Sequence, residues 1–225
     1  MKRIAEIFFS LIILPFLCAC GLEHQLFDAA NEPITIEPPI LNNPIGSSAS
    51  CEEPNRPVIC FNGYEWGEDF IRILSEKTAG GKLQNTEYTY NENVGPFTKE
   101  LVFTEEYAGY PFRCYYDFDH EDRLVSVMLL LNQELSAVDV VSLQYDLNKA
   151  FISRFGPWDT ASGLFDPESG ESFREHADSV KAGKKVVTAV WYGSCNTQLF
   201  SKCQLNSTNG QIDLILVFST TEYSL

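Results

Sequence analysis

Seven cysteines and three histidines are the side chains here with the widest chemical range. Hydrolysis through a nucleophile needs a serine or cysteine within reach of a base that a third group orients. The sequence has no Gly-x-Ser-x-Gly run, and no cysteine adjoins His24, His120 or His176. A hydrolase would need His120 or His176 to meet a carboxylate and a Ser or Cys in one cleft. Zinc binding is disfavoured for a similar reason, since no Cys-x-x-Cys occurs and the histidines are scattered. Asp117-x-Asp119-x-Glu121 alternates carboxylates as calcium loops do, but such loops want Gly sixth and Glu twelfth. Those places hold Asp122 and Met128, so the segment reads as the solvated tip of a hairpin. The expectation is a protein that binds, with no catalytic residue, cofactor or metal.

The first twenty residues set the compartment in which those cysteines work. Lys2 and Arg3 precede an almost purely apolar run from Ile7 to Leu17. That length suits the core of an export signal and falls short of the ~20 residues of a membrane span. Leu17-Cys18-Ala19-Cys20 follows, and it resembles the lipobox of bacterial lipoproteins. The resemblance implies a thioether-linked diacylglycerol on Cys20, removal of residues 1–19 and acylation of the new amino terminus. Several acyl chains give lasting attachment, at ~0.8 kcal/mol per buried CH₂. Gly21 follows the cysteine, where an Asp would signal inner-membrane retention. In a bacterium with two membranes the resemblance therefore implies the outer membrane, with the protein facing the periplasm.

Removing residues 1–19 takes away Lys2, Arg3 and Glu6, which leaves 14 basic against 30 acidic residues and a formal charge of −16. Nucleic acid is excluded as a partner, because its phosphates need basic side chains. A cationic protein would be attracted. Export also exposes the remaining cysteines to an oxidising space. Close spacing favours two local disulfides, Cys51–Cys60 and Cys195–Cys203, each worth on the order of 2–3 kcal/mol in the chain-entropy picture. Cys114 alternates in phase with Phe112, Tyr116 and Phe118, which places it on the core side of a strand as a small hydrophobe.

Two features carry the expectation of a binding surface. Trp158, just past a helix end, is the tryptophan expected to be exposed. The acidic loop Asp166–Phe173 contains Ser169-Gly170-x-x-Phe173, which is similar to the Ser-Gly-x-x-Tyr loop of periplasmic lysozyme inhibitors. That resemblance implies a serine that hydrogen-bonds an enzyme's catalytic carboxyl groups; Phe173 departs from it by lacking the hydroxyl.

The elements that must position these residues follow from hydrophobic period. Residues 21–50, with Pro33, Pro38, Pro39 and Pro44, form a tether (20–50 with the lipidated cysteine), and a globular domain runs from 51 to 225. A first helix spans about 68–77, stopped by Gly80-Gly81. Strands are expected over 86–90, 100–107, 112–118 and 124–131. A second helix begins at the N-cap Ser136, carries Val140, Leu143, Leu147, Ala150, Phe151 and Phe155 on its apolar stripe, and ends at Gly156-Pro157. Residues 159–185 lack apolar periodicity and read as a surface excursion. Strands return over 186–192, 198–205 and 212–218. This is an α+β pattern: an antiparallel meander sheet with two helices on one face, in two α-plus-strands repeats. With Trp66-Gly67, Arg154-Phe155-Gly156-Pro157 and Trp191, residues 58–218 are similar to small periplasmic α+β domains of the β-lactamase-inhibitor-like type.

The functional expectation is a membrane-anchored, non-catalytic protein-binding module of the envelope, in its sharpest form an inhibitor or immunity protein against a cationic envelope-attacking enzyme. A structural or assembly lipoprotein of the outer membrane is the alternative, and a small-ligand carrier or hydrolase the third. An apolar cavity of several hundred Å³ with convergent polar groups would favour the carrier.

Overall fold

The computed structural model describes residues 56–79, 89–94 and 97–221. Helix α1 (Phe70–Ala79) is opened by Asp69, whose Oδ1 accepts the N–H groups of Ile71 and Arg72 at 2.8 and 3.3 Å. Strands β1 (Thr89–Val94), β2 (Phe97–Tyr107), β3 (Tyr110–Phe118) and β4 (Leu124–Leu131) follow. Helix α2 (Ala137–Phe155) leads to β5 (Thr160–Ser162), a 3₁₀ turn (Pro167–Ser169) and helix α3 (Phe173–Lys181). Strands β6 (Val187–Tyr192), β7 (Thr197–Leu205) and β8 (Ile212–Thr220) complete the order. All eight strands join one antiparallel sheet in the order β1-β2-β3-β4-β8-β7-β6-β5. The α+β class and the antiparallel sheet are as the sequence predicts, and neighbouring strands run as two meanders joined between β4 and β8.

Strict alternation builds the core. In β8, Ile212, Leu214, Leu216 and Phe218 are buried, and in β7 Thr197, Leu199, Ser201 and Cys203 are. Phe61, Tyr107 and Phe218 form one aromatic cluster, and Phe218 also meets Phe151 of α2 edge-on. Ser136 caps α2, its Oγ accepting the Asp139 N–H. Gly156 ends the helix with φ 85°, a conformation that suits glycine, and its carbonyl accepts the Trp191 indole at 3.0 Å. A second glycine permits a close approach: a side chain on Gly193 would lie 2.6 Å from the Pro57 carbonyl. That approach lets Ser194 N–H reach Pro57 and Ile59 N–H reach Thr197 Oγ1, which fastens residues 57–59 to the β6–β7 turn.

Three expectations change. Residues 159–185 are not a structureless excursion. Ser172 and Glu175 form a reciprocal capping box that starts α3, and α3 buries His176, Ala177 and Val180. The turn between β3 and β4 exposes His120 and Glu121 as expected, but Asp119 is not solvated: the residue is 1 % exposed. It accepts the N–H groups of Glu121 and Arg123 and takes both Nε and Nη2 of Arg123, at 2.9 and 2.8 Å. The third change concerns the disulfides. Cys60 and Cys203 are buried free thiols, as is Cys114. Cys203 faces inward between Val187 and Leu214, whereas Cys195 lies in the turn before β7 with φ 56°. Most of an extended strand, on the order of 20 Å at ~3.3 Å per residue, separates the two, far beyond the ~7 Å that a disulfide spans. Cys195 is disulfide-bonded, and its partner lies outside the described residues, as do Cys20, Cys51 and the Gly80-Gly81 stop.

No helix among the described residues is long and apolar enough to cross a membrane.

Candidate functional site

Helix α2 has a second inward stripe beside the one that packs on β7 and β8. Val141, Gln144, Tyr145, Asn148 and Ile152 recur at three- and four-residue spacing, so they share a face turned away from Leu143, Leu147 and Phe151. What covers this face is the segment the sequence leaves without periodicity. Phe173 opens α3 and stacks on Phe165 with ring centroids 3.9 Å apart, while Tyr145 meets both rings edge-on at 5.8 and 5.5 Å. The aromatic trio props the segment off α2 and leaves a cavity of about 470 Å³. Trp158, Leu164, Phe165, Asp166 and Pro167 form one wall, with His176 of α3 and Val187 of β6 closing it.

The lining is mainly apolar, with three buried polar side chains in it: Gln144, Asn148 and His176. Gln144 Nε2 donates to Ser201 Oγ at 3.2 Å. His176, 0 % exposed, places Nδ1 2.9 Å from Glu171 Oε2. Lys185 Nζ holds the same carboxylate at 2.6 and 2.8 Å. Donation by Lys185, then by His176, keeps the Glu171 carboxyl below the usual range. Lys185 Nζ also lies 3.2 Å from Nδ1, so this ring nitrogen faces a carboxylate and an ammonium at once. Nε2 has no hydrogen-bond partner, and neither has Asn148 Oδ1; Asn148 is 4 % exposed. Two more buried atoms of α2, Ser142 Oγ and Asp146 Oδ2, also lack partners but lie outside the cavity lining.

An oriented imidazole beside a carboxylate is half of a hydrolytic apparatus. The other half is not in the lining, where Tyr145 carries the one hydroxyl and there is no serine, threonine or cysteine. The nearby buried thiol Cys203 is pushed up to about 12 by burial, away from the thiolate form that attacks. Among the described residues no group of His, Cys, Asp and Glu is arranged to hold a metal ion.

Trp158 is 39 % exposed at the rim of this cavity, as its place in the sequence suggests. Ser169, Gly170 and Phe173 do not form one exposed surface. Ser169 Oγ donates to the Asp166 carbonyl at 2.6 Å and accepts the Glu171 N–H at 3.2 Å. Gly170 is exposed in the left-handed conformation, while Phe173 turns inward to its aromatic neighbours. Sequence reasoning missed Gln144, Asn148 and Lys185; it named His176 only as a possible hydrolase base and Glu171 only as part of the acidic loop. A signal existed for their frame: Ser172-x-x-Glu175 announces a helix start.

Register also sets out the alternate face of the sheet. Val102, Tyr115, Met128, Val217, Phe200 and Val190 stand directly opposite one another from β2 to β6. A parallel polar row runs Asn91, Glu100, Asp117, Ser126, Ser219 and Gln198. Apart from Val102 the apolar row is only half-buried.

Comparison with known protein families, with curated proteins and with solved structures finds no match to this chain.

Proposed function

We propose that this chain is a lipid-anchored, non-catalytic binding protein of the bacterial envelope that holds a small, mainly apolar molecule between α2 and α3. The observation that carries this reading is the 470 Å³ cavity, which is of the size and apolar character of small-molecule sites and has a few convergent polar groups. The disulfide at Cys195 supports export, since such bonds persist in oxidising compartments. The lipobox-like Leu17-Cys18-Ala19-Cys20 supports attachment through Cys20 to the outer membrane, with residues 20–50 as the tether. Two α-plus-strands repeats, each with its helix on the same face of the sheet, are supported by the mirrored strand order about the β4–β8 junction.

A titration tests the ligand reading. The parent protein should change its tryptophan fluorescence as small apolar alcohols or aromatics bind beside Trp158. A Leu164→Trp variant, which fills the cavity, should bind them at least about tenfold more weakly, the effect of a ~1.4 kcal/mol loss. Absence of binding to such a panel up to millimolar concentration would overturn it. Mass spectrometry of the membrane-extracted protein tests the anchor, and an unmodified thiol at Cys20 would refute it.

A second reading, a protein-binding module, rests on the half-buried apolar row of Val217, Phe200 and its neighbours. The charge of −16 left after removal of residues 1–19 suits a cationic partner such as an envelope-attacking enzyme. If excess soluble domain leaves lysozyme activity unchanged, the inhibitor form of that reading fails.

A further inference from the structure

A buried donor in the cavity lining has nothing to donate to. Asn148 is 4 % exposed and its Oδ1 is sealed in the protein, so the amide atom that reaches the cavity is Nδ2. No described residue accepts from Nδ2, whereas the matching nitrogen of Gln144 is taken by Ser201 Oγ at 3.2 Å. The next residue of α2, Lys149, lines the same cavity, is exposed, and makes no ion pair among the described residues. Its Nζ sits over the Tyr145 ring, 5.2 Å from the centroid. Two carboxyls lie nearby. Asp146, one turn back, feels the Lys149 charge, which works against the upward push of burial, but it is outside the lining. Asp166 is in the lining, with its Oδ1 occupied by the Glu168 N–H at 2.9 Å.

These groups sort the molecules that the cavity can hold, an inference that rests on the ligand-cavity reading above. We infer that the ligand is an apolar carboxylate, one oxygen of which accepts from Asn148 Nδ2 while its charge lies at the mouth toward Lys149. A carboxylate accepts at both oxygens and brings no donor. A hydrogen bond to an ionised acceptor is also stronger than one to a neutral carbonyl. An alkylammonium would bring only donors and set a second cation beside Lys149. The hydrocarbon or aromatic part lies against Val141, Ile152, Leu164 and Phe165. The acidic chain as a whole opposes an anion, so the selection is local to these two residues of α2.

The test compares octanoate, octanamide and octylammonium, which share a chain length and differ in the charge and hydrogen-bonding of the head. Calorimetry on the full-length protein at neutral pH should show octanoate binding about fivefold more tightly than octanamide, with octylammonium weaker than either. Asn148→Leu should weaken octanoate by about tenfold, the scale of a hydrogen bond to a charged group. Lys149→Met should cut the preference for octanoate over octanamide by about threefold, the scale of an exposed ion pair. Lys149 is exposed, so its variant keeps the test decisive even if Asn148→Leu fails to fold. Octanamide or octylammonium binding as tightly as octanoate in the parent protein overturns the carboxylate assignment and leaves the cavity reading intact. Binding of none of the three overturns the cavity reading and this inference with it. An octanoate affinity unchanged in folded Asn148→Leu, or a preference unchanged in Lys149→Met, refutes the role given to that residue and overturns the assignment.

Discussion

Asp117 offers a test of how this sheet tolerates charge on its alternate face. It stands on β3 directly opposite Glu100 on β2 and Ser126 on β4, and is 5 % exposed. Burial pushes its carboxyl up to about 7; the Glu100 carboxylate pushes the same way, and the Ser126 hydroxyl pulls back. In the unfolded chain an aspartate ionises near ~3.9. Between about pH 4 and about pH 7, then, the folded form keeps a proton that the unfolded form has lost. Stability falls as pH rises through that window, is flat above it, and is free of this penalty below it. At ~1.4 kcal/mol per pH unit, the window amounts to about 4 kcal/mol at most. Asp117→Asn keeps the shape and a hydrogen bond to Ser126 but cannot ionise. The stability of the variant relative to the parent should therefore increase by about 3 kcal/mol between pH 4 and pH 8, read by urea denaturation with an unchanged slope. Asp119, Asp159, Glu171 and Glu175, whose carboxyls are held low, act alike in both proteins and cancel. A difference that stays constant across pH would refute the reasoning.

Asp119→Ala should be among the most damaging substitutions away from the core, at roughly 3 kcal/mol, because it orphans two backbone N–H groups and removes the acceptor of Arg123 Nε and Nη2, leaving that guanidinium its contact with Glu121; a shift in urea midpoint equivalent to less than 1 kcal/mol would contradict that figure. With Cys60, Cys114 and Cys203 free, and with residues 1–19 removed and Cys20 acylated as proposed, Cys195 has one partner left. Peptide mapping without reduction should recover Cys51 joined to Cys195 and alkylated thiols at Cys60 and Cys203, and a Cys195–Cys203 peptide would overturn the assignment.

The parts of the fold that the sequence discloses are those governed by a single period. β7 and β8 alternate without interruption, so their inward residues are legible one by one. α2 is legible from its cap Ser136 to Gly156 for the same reason. The disulfides are illegible because nearness in sequence is a poor guide once strands form. The alternation that places Cys114 in the core also puts Cys203 in phase with Leu199, facing inward and away from any turn. Segment 159–185 is illegible for a different reason. α3 is short and buries only His176, Ala177 and Val180, too little apolar signal to register against its charged neighbours, though its capping box stands in plain text.

The cavity is harder still, because its frame and its polar groups come from elements that sequence treats separately. Gln144 and Asn148 read as the polar side of an amphipathic helix, and they would be that if nothing lay over them. The cover is framed by the aromatic trio of Tyr145, Phe165 and Phe173, whose members are spread over 29 residues of chain. Gln144 finds Ser201 of β7 and His176 finds Glu171, while Asn148 Oδ1 is buried without a partner. Packing alone does not favour Asn148 there, since a buried acceptor left unmet costs ~1–3 kcal/mol. The cavity is proposed as the site on its size and its mainly apolar lining, with buried polar side chains at its edge, which is the character of small-molecule sites.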